Sequence, residues 1–156
     1  TQAQLKLYDG IYTRIGAHDE LAENQSTFMV EMSESAHILN NATKDSLVIF
    51  DEIGRGTSTY DGMAIAQSII EYIAELQTHT LFATHYHELN LLEQQYENIC
   101  NYHVEVDEQD SNIEFLHKIK KGGMDKSYGV HVAKLAKMPQ QVLSRAEDIL
   151  KQLEKK

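Results

Sequence analysis

Leu47-Val48-Ile49-Phe50-Asp51-Glu52 decides the fold, and Ile53-Gly54-Arg55-Gly56-Thr57-Ser58-Thr59 follows it directly. The four consecutive apolar residues predict a strand buried on both faces, as in a parallel sheet. Open α/β sheets bind their ligands beyond the carboxyl ends of the strands, where Asp51 and Glu52 stand. Neighbouring side chains of a strand point to opposite faces, so the two carboxylates are expected to have different tasks. The pair predicts a site in which Asp51 binds magnesium and Glu52 polarises an attacking water.

The alternative interpretation of Asp51 and Glu52 is a solvated pair that opens an ordinary turn. The two glycines and three hydroxyl side chains of residues 54–59 argue against it, because a surface turn does not need them. The usual companion of such a pair is the phosphate-binding pattern G-x-x-x-x-G-K-[ST], and it occurs nowhere in the 156 residues. The chain therefore has the features of the second half of a nucleotide-hydrolysing domain.

A second strand is predicted at residues 80–84, after a helix that Asp61-Gly62 opens. Strand, helix and strand form a βαβ unit, in which the two strands are parallel. Because parallel strands end at the same edge of a sheet, His85 is expected to lie near Glu52 and to hold the γ-phosphate or the water. The alternatives are a structural histidine and a His85-x-His87 site for zinc or iron. No further metal ligand stands at a suitable spacing from these histidines.

Ser26-Thr27 is predicted to begin a helix that ends near Asn40-Asn41. The free N–H groups at such a helix start bind anions, although a plain N-cap explains the hydroxyl pair equally well. Residues 101–107 and 113–119 alternate in polarity and predict a hairpin at the edge of the sheet. Two helices are predicted at residues 127–138 and 139–156. The second carries an apolar seam suited to a coiled coil or a helix pair: Val142, Ala146, Ile149 and Leu153.

Composition is that of an ordinary globular domain, with 42% apolar and 24% charged residues. The net charge of −10 is unevenly distributed, since residues 1–117 carry four Lys or Arg against twenty Asp or Glu. Such an acidic body is a poor direct binder of nucleic acid. The Lys-rich remainder could touch nucleic acid, and the preferred interpretation is a solvated helical surface. The apolar runs are shorter than a membrane span requires. The lone Cys100 rules out an internal disulfide, and the expected location is the cytoplasm.

Three segments of the chain strongly resemble the MutS family of DNA mismatch-repair ATPases: residues 26–32 (STFMVEM), 51–62 (DEIGRGTSTYDG) and 80–86 (TLFATHY). Residues 13–17 and 126–130 fit the same family, and the resemblance covers nearly the whole chain. The DEIGRGTST segment is highly specific. The main departure is truncation, because the phosphate loop and the family's DNA-reading domains are absent from these residues.

The resemblance implies an α/β fold: part of an ABC-type ATPase with a parallel sheet flanked by helices, an edge hairpin and a C-terminal helix-turn-helix. Residues 1–121 would belong to the ATPase domain, and residues 122–156 would form a helical dimerisation tail. By the same likeness, Asp51 is the magnesium ligand, Glu52 the general base and His85 the switch histidine. Ser26 is similar to a serine that reaches the nucleotide of the opposite subunit, and His117 is expected near the adenine.

The resemblance further implies a DNA-dependent ATPase that uses ATP or ADP with Mg²⁺, forms a homodimer and binds mismatched double-stranded DNA through domains absent here. Downstream mismatch-repair proteins would be its partners, and no membrane is involved. The 156 residues alone are expected to have no significant ATPase activity, because they lack the phosphate loop. The two rival interpretations are a non-catalytic dimerisation module, whose acidic pair merely caps a strand, and a MutS-like protein of recombination.

Overall fold

The computed structural model of the chain describes residues 5–16, 27–109, 112–124 and 128–153. They form two compact units, which divide between Cys100 and Asn101. Along the first unit the elements are β1 (Ile11–Arg14), α1 (Thr27–Asn41), β2 (Leu47–Asp51), α2 (Thr59–Leu76), β3 (His79–Ala83), a 3₁₀-helix (His87–Leu91) and α3 (Leu92–Gln95). The second unit contains β4 (Tyr102–Gln109), β5 (Asn112–Lys121), α4 (Gly129–Leu135) and α5 (Gln140–Leu153).

The sheet of the first unit has the order β1-β2-β3, and all its strands are parallel. The predicted βαβ unit is confirmed as β2-α2-β3, and β1 pairs in parallel with the other side of β2. Asp51 is paired with Ala83 in register, so β2 and β3 end at the same edge. The mixed α/β fold with a parallel sheet flanked by helices agrees with the expectation from the sequence.

One face of this sheet packs against the helices. Val48 and Phe50 of β2 are completely buried, and the core that contains them also includes Ile38 of α1 and Ile69 of α2. The opposite face is different, because Ile11 is 66% exposed and Leu81 is 63% exposed. Parallel sheets normally have both faces covered. The four apolar residues of β2 therefore have one fully packed face and one half-buried face, not two equally buried ones.

Helix α2 begins two residues before the predicted start at Asp61. The reason is a cap formed by Ser58, whose extended backbone precedes the helix and whose Oγ accepts the Asp61 N–H. The same Oγ donates to Asp61 Oδ2 at 2.8 Å. Ser58, one of the hydroxyl residues after β2, thus ends the loop and caps the start of α2.

The second unit contains the predicted hairpin and two helices. Strands β4 and β5 form a two-stranded antiparallel sheet of their own, with an irregular register between Val104 and Val106. The prediction that the hairpin extends the edge of the parallel sheet is therefore wrong, because among the described residues β4 and β5 pair only with each other. Helix α5 starts at Gln140, so Pro139 precedes it and accepts the Val142 N–H instead of occupying the first helical position. Leu143 is the buried residue of α5. The division of the chain predicted at residues 121 and 122 into an ATPase part and a dimerisation tail stays a prediction.

Candidate functional site at the carboxyl ends of β2 and β3

Glu52 leaves β2 in a left-handed backbone conformation, with φ at 58°. A non-glycine residue in this region costs on the order of 1–3 kcal/mol, and such residues concentrate at functional sites. The Glu52 N–H donates to the Ala83 carbonyl at 2.9 Å, which ties the residue to the end of β3. Asp51, one residue earlier, is the half-buried last residue of the strand. The two carboxylates therefore differ in backbone setting.

The Glu52 carboxylate has two basic partners on one oxygen. Its Oε2 lies 3.0 Å from His85 Nδ1 and also contacts the Arg55 Nε. The expected proximity of Glu52 and His85 is thus observed. Glu52 is partly shielded, whereas the side chains of His85 and Arg55 are 47% and 66% exposed. A general base needs a carboxylate oxygen for the water, and neither of these two contacts involves Glu52 Oε1.

Gly54 and Gly62 bring the loop after β2 against the start of α2. Gly54 has φ at 95°, and a Cβ there would lie 2.7 Å from the Gly62 backbone. A Cβ on Gly62 would lie 2.3 Å from the Gly54 carbonyl oxygen and 2.4 Å from the Tyr86 hydroxyl. Both separations are too short for carbon, so neither glycine has room for a side chain. The glycine spacing of the motif is explained by this backbone contact.

Two buried side chains bind the backbone of Gly54. Glu31 Oε1, from α1, accepts the Gly54 N–H at 2.6 Å. Tyr86, which follows β3, donates its hydroxyl to the Gly54 carbonyl oxygen at 3.1 Å. Burial raises the pKa of the Tyr86 phenol, and the carboxylates of Glu31 and Glu52 raise this pKa further. Tyr86 therefore keeps its proton and remains a hydrogen-bond donor at neutral pH.

Arg14 connects β1 to helix α1 beside this loop. Its guanidinium is nearly buried and lies 4.0 Å from Glu31 Oε2. Its Nε is 2.9 Å from Glu34 Oε2, an ion pair without the alignment of a hydrogen bond. Arg14 also donates to the Gly16 carbonyl. The carboxylate of Glu31 thus meets a cation on one side and a backbone N–H on the other.

Three residues of the site were not predicted: Glu31, Arg55 and Tyr86. Glu31 and Tyr86 bind a backbone peptide from 23 and 32 positions away, a relationship that no sequence spacing reveals. The only available signal for Glu31 was a charged residue on the apolar side of a predicted helix. Arg55 had a clearer one, because it is the single cation of the glycine and hydroxyl loop.

The structure says less about the two other predicted site residues, Ser26 and His117. Ser26 lies outside the described residues, and Thr27 is the first residue of α1. His117 is an exposed residue of β5 with φ at 52°, next to the irregular part of the hairpin register. The roles predicted for both stay predictions. Among the described residues no cluster of three or more His, Cys, Asp or Glu side chains suits a metal ion. The His85-x-His87 alternative stays a hypothesis.

The carboxylates fit magnesium that arrives with a nucleotide. Mg²⁺ is usually bound through one or two protein carboxylates together with substrate phosphates and water. Asp51 offers such a carboxylate at the strand end. The lack of a complete ligand cluster in the described part of the chain is therefore compatible with magnesium bound alongside phosphates.

Comparison with known proteins shows the family of the chain. The family profile of MutS domain V matches residues 1–154. The chain belongs to the MutS family. It is 58% identical over 154 residues to the DNA mismatch repair protein MutS of Bacillus velezensis and 58% identical over 156 residues to that of Caldicellulosiruptor bescii. It is also 59% identical over 153 residues to the DNA mismatch repair protein HexA of Streptococcus pneumoniae.

These matches cover 97–98% of this MutS-family chain but 18% of each relative. The chain thus spans less than a fifth of the length of the curated relatives that it matches. No helix among the described residues is long and apolar enough to cross a membrane.

Proposed function

We propose that this chain is the catalytic part of the ATPase domain of a longer protein, which repairs DNA mismatches and hydrolyses ATP. The observation that carries the proposal is the contact of Glu52 with His85 beyond the ends of β2 and β3, directly after Asp51. The names of the relatives describe mismatch repair, which favours this function over a role in recombination. The proposed nucleotides are ATP and ADP with Mg²⁺.

Asp51 would hold the magnesium of the bound nucleotide. When bound, this ion would neutralise charge on the phosphate oxygens. Glu52 would accept a proton from the attacking water through its Oε1, while His85 and Arg55 hold Oε2. His85 would fix the direction of the carboxylate and contact the γ-phosphate. Because water and phosphate must be in line, the positions of these side chains matter as much as their basicity.

The remaining parts of the proposal concern partners. Ser26 would bind the nucleotide of the opposite subunit in a homodimer, and His117 would lie near the adenine. Mismatched double-stranded DNA and downstream repair proteins would bind through other parts of the longer protein, in the cytoplasm and without a membrane. The 156 residues contain no phosphate loop, so the chain alone is not expected to hydrolyse ATP.

A second candidate function is a dimerisation module without catalysis. The exposed apolar residues of α5 favour it, since Val142 is 50% exposed and Leu153 is 62% exposed. The two candidates differ in what they require of Asp51, because a dimerisation module has no use for a carboxylate that binds magnesium.

The test compares the full-length protein with its Asp51→Asn variant, with a perfectly paired duplex or one carrying a single mismatch. We expect magnesium-dependent ATP turnover that differs between the two duplexes. Asp51→Asn should lower turnover at least about 100-fold, since such metal contacts stabilise transition-state charge by several kcal/mol. Turnover absent from the parent under all conditions would favour the dimerisation module. Unchanged turnover in the Asp51→Asn variant would contradict the proposal that Asp51 binds the magnesium ion.

A further inference from the structure

The peptide groups on both sides of Gly54 Cα are fixed by side chains from two other elements. The carboxylate of Glu31 accepts the N–H at 2.6 Å, and the Tyr86 hydroxyl donates to the carbonyl oxygen at 3.1 Å. Both side chains are buried, with Glu31 8% and Tyr86 5% exposed. The backbone of Gly62 closes the third side, at a distance that leaves no room for a Cβ. Gly54 therefore has little freedom to move.

The contacts of Glu31, Tyr86 and Gly62 with Gly54 are called the clamp on Gly54. The clamp lies two residues after Glu52, whose left-handed backbone requires support. Glu52 has φ at 58°, and a residue without glycine's freedom keeps such a conformation only where its surroundings hold it. On the β3 side, the Ala83 carbonyl accepts the Glu52 N–H. On the loop side, the clamp on Gly54 provides the restraint. The direction of the Glu52 side chain follows from both.

Glu31 is a buried carboxylate, and its contact with the loop compensates part of the cost of burial. A buried carboxylate is costly unless hydrogen bonds and charges compensate it. The Arg14 guanidinium lies 4.0 Å from Glu31 Oε2, so the short contact of Glu31 is with the neutral N–H of Gly54. An apolar residue would fill the same space in α1, but it would leave this N–H without an acceptor.

We propose that Glu31 is a positioning residue for Glu52, and that Tyr86 acts with it. Glu31 holds the loop after β2 in the conformation that directs the Glu52 carboxylate toward the reacting water, without touching the nucleotide itself. The inference rests on the proposed function, because it assumes that Glu52 acts on ATP. It adds that α1, through Glu31, determines the geometry of a catalytic group on another element.

The experiment measures kcat and KM for ATP in the full-length protein carrying Glu31→Ala, Glu31→Gln, Tyr86→Phe or both Glu31→Ala and Tyr86→Phe. We expect Glu31→Ala to lower kcat at least tenfold while KM changes less than threefold. Glu31→Gln keeps an acceptor oxygen and should recover kcat to within about threefold of the parent. Tyr86→Phe should lower kcat three- to tenfold. Because both residues act on Gly54, the double variant should lose less than the product of the single losses.

Glu34→Ala is the matched control, since Glu34 lies on the same helix and pairs with the same Arg14. Its kcat should stay within twofold of the parent. The proposal is overturned if Glu31→Ala lowers kcat less than twofold, if Glu34→Ala lowers it equally, or if Glu31→Gln recovers nothing. Should Glu31→Ala lose its fold, Tyr86→Phe decides, and a kcat within 1.5-fold of the parent overturns the proposal. Glu52→Ala distinguishes failure of the positioning role of Glu31 from failure of the proposed function. If Glu52→Ala also leaves kcat unchanged, the proposed function fails as well.

Discussion

Glu52 and His85 stand 33 positions apart in the chain, and their side chains meet at 3.0 Å between Oε2 and Nδ1. The contact follows from the parallel pairing of β2 with β3, which brings Asp51 beside Ala83 and ends both strands at one edge. The pairing of two short strands thus brings an acidic side chain, Glu52, and a basic side chain, His85, to one place. The contact also makes a direct test of His85 possible.

We expect His85→Ala in the full-length protein to lower kcat for ATP about tenfold or more, because Glu52 loses one of the two groups that orient Oε2. Steady-state turnover at saturating magnesium measures it. His87→Ala is the control, since His87 is exposed in the 3₁₀-helix two residues later. Its kcat should stay within twofold of the parent. An equal loss in both variants would favour the alternative of a shared metal site.

The sequence predicted this contact because strand order and parallel direction are enough to place the ends of two strands together. It did not predict the clamp on Gly54, in which Glu31 and Tyr86 recognise a backbone peptide group that every residue possesses. The predicted start of α2 lies two residues too late for a different reason, which is local. Ser58 was counted among the hydroxyls of the loop, but its Oγ caps the helix. Local patterns thus predict elements, whereas contacts between a side chain and a distant backbone need coordinates.

Gly62→Ala should reduce the stability of the 156-residue chain by about 1–3 kcal/mol or more, as overpacking does in other cores. Its Cβ would meet the Gly54 carbonyl oxygen at 2.3 Å, so the loop or α2 must move. Urea unfolding at neutral pH measures the effect. Gly129→Ala is the matched control, because a Cβ at Gly129 meets nothing within 4 Å and alanine suits a helix. Equal stability of the two variants would contradict the close contact of Gly54 and Gly62.

Asp9→Asn should make the stability of the chain less sensitive to acid. Hydrogen bonds from Thr43 Oγ1 and Ser46 Oγ lower the pKa of the Asp9 carboxyl. A lowered pKa means that the folded state favours the carboxylate, so this stabilisation is present above pH 3.8 and disappears as the pH falls below it. Urea unfolding at pH 7 and pH 3 should show a smaller difference for Asp9→Asn than for the parent. A larger or equal difference would show that these hydrogen bonds do not select the charged form.

Ile149→Asp should weaken dimers of the full-length protein. Ile149 is 40% exposed and shares one face of α5 with Val142, so the face is apolar without being covered in its own unit. Burying such area is worth roughly 25 cal/mol per Å². Ser144→Asp is the control, because Ser144 lies on the opposite side of the helix by its spacing of about 100° per residue. Sedimentation at low micromolar concentration should detect the loss in Ile149→Asp alone. Unchanged sedimentation of both variants would count against an interface at this face.

The most direct test of the proposed catalytic site is a single-turnover measurement on the full-length protein with Glu52→Gln. The substitution keeps the size of the side chain and removes its ability to accept the proton of the water. We predict that magnesium–ATP binds within about threefold of the parent affinity while phosphate release slows about 100-fold or more, the size of a general-base effect. Phosphate release within twofold of the parent would contradict the assignment of Glu52 as the general base.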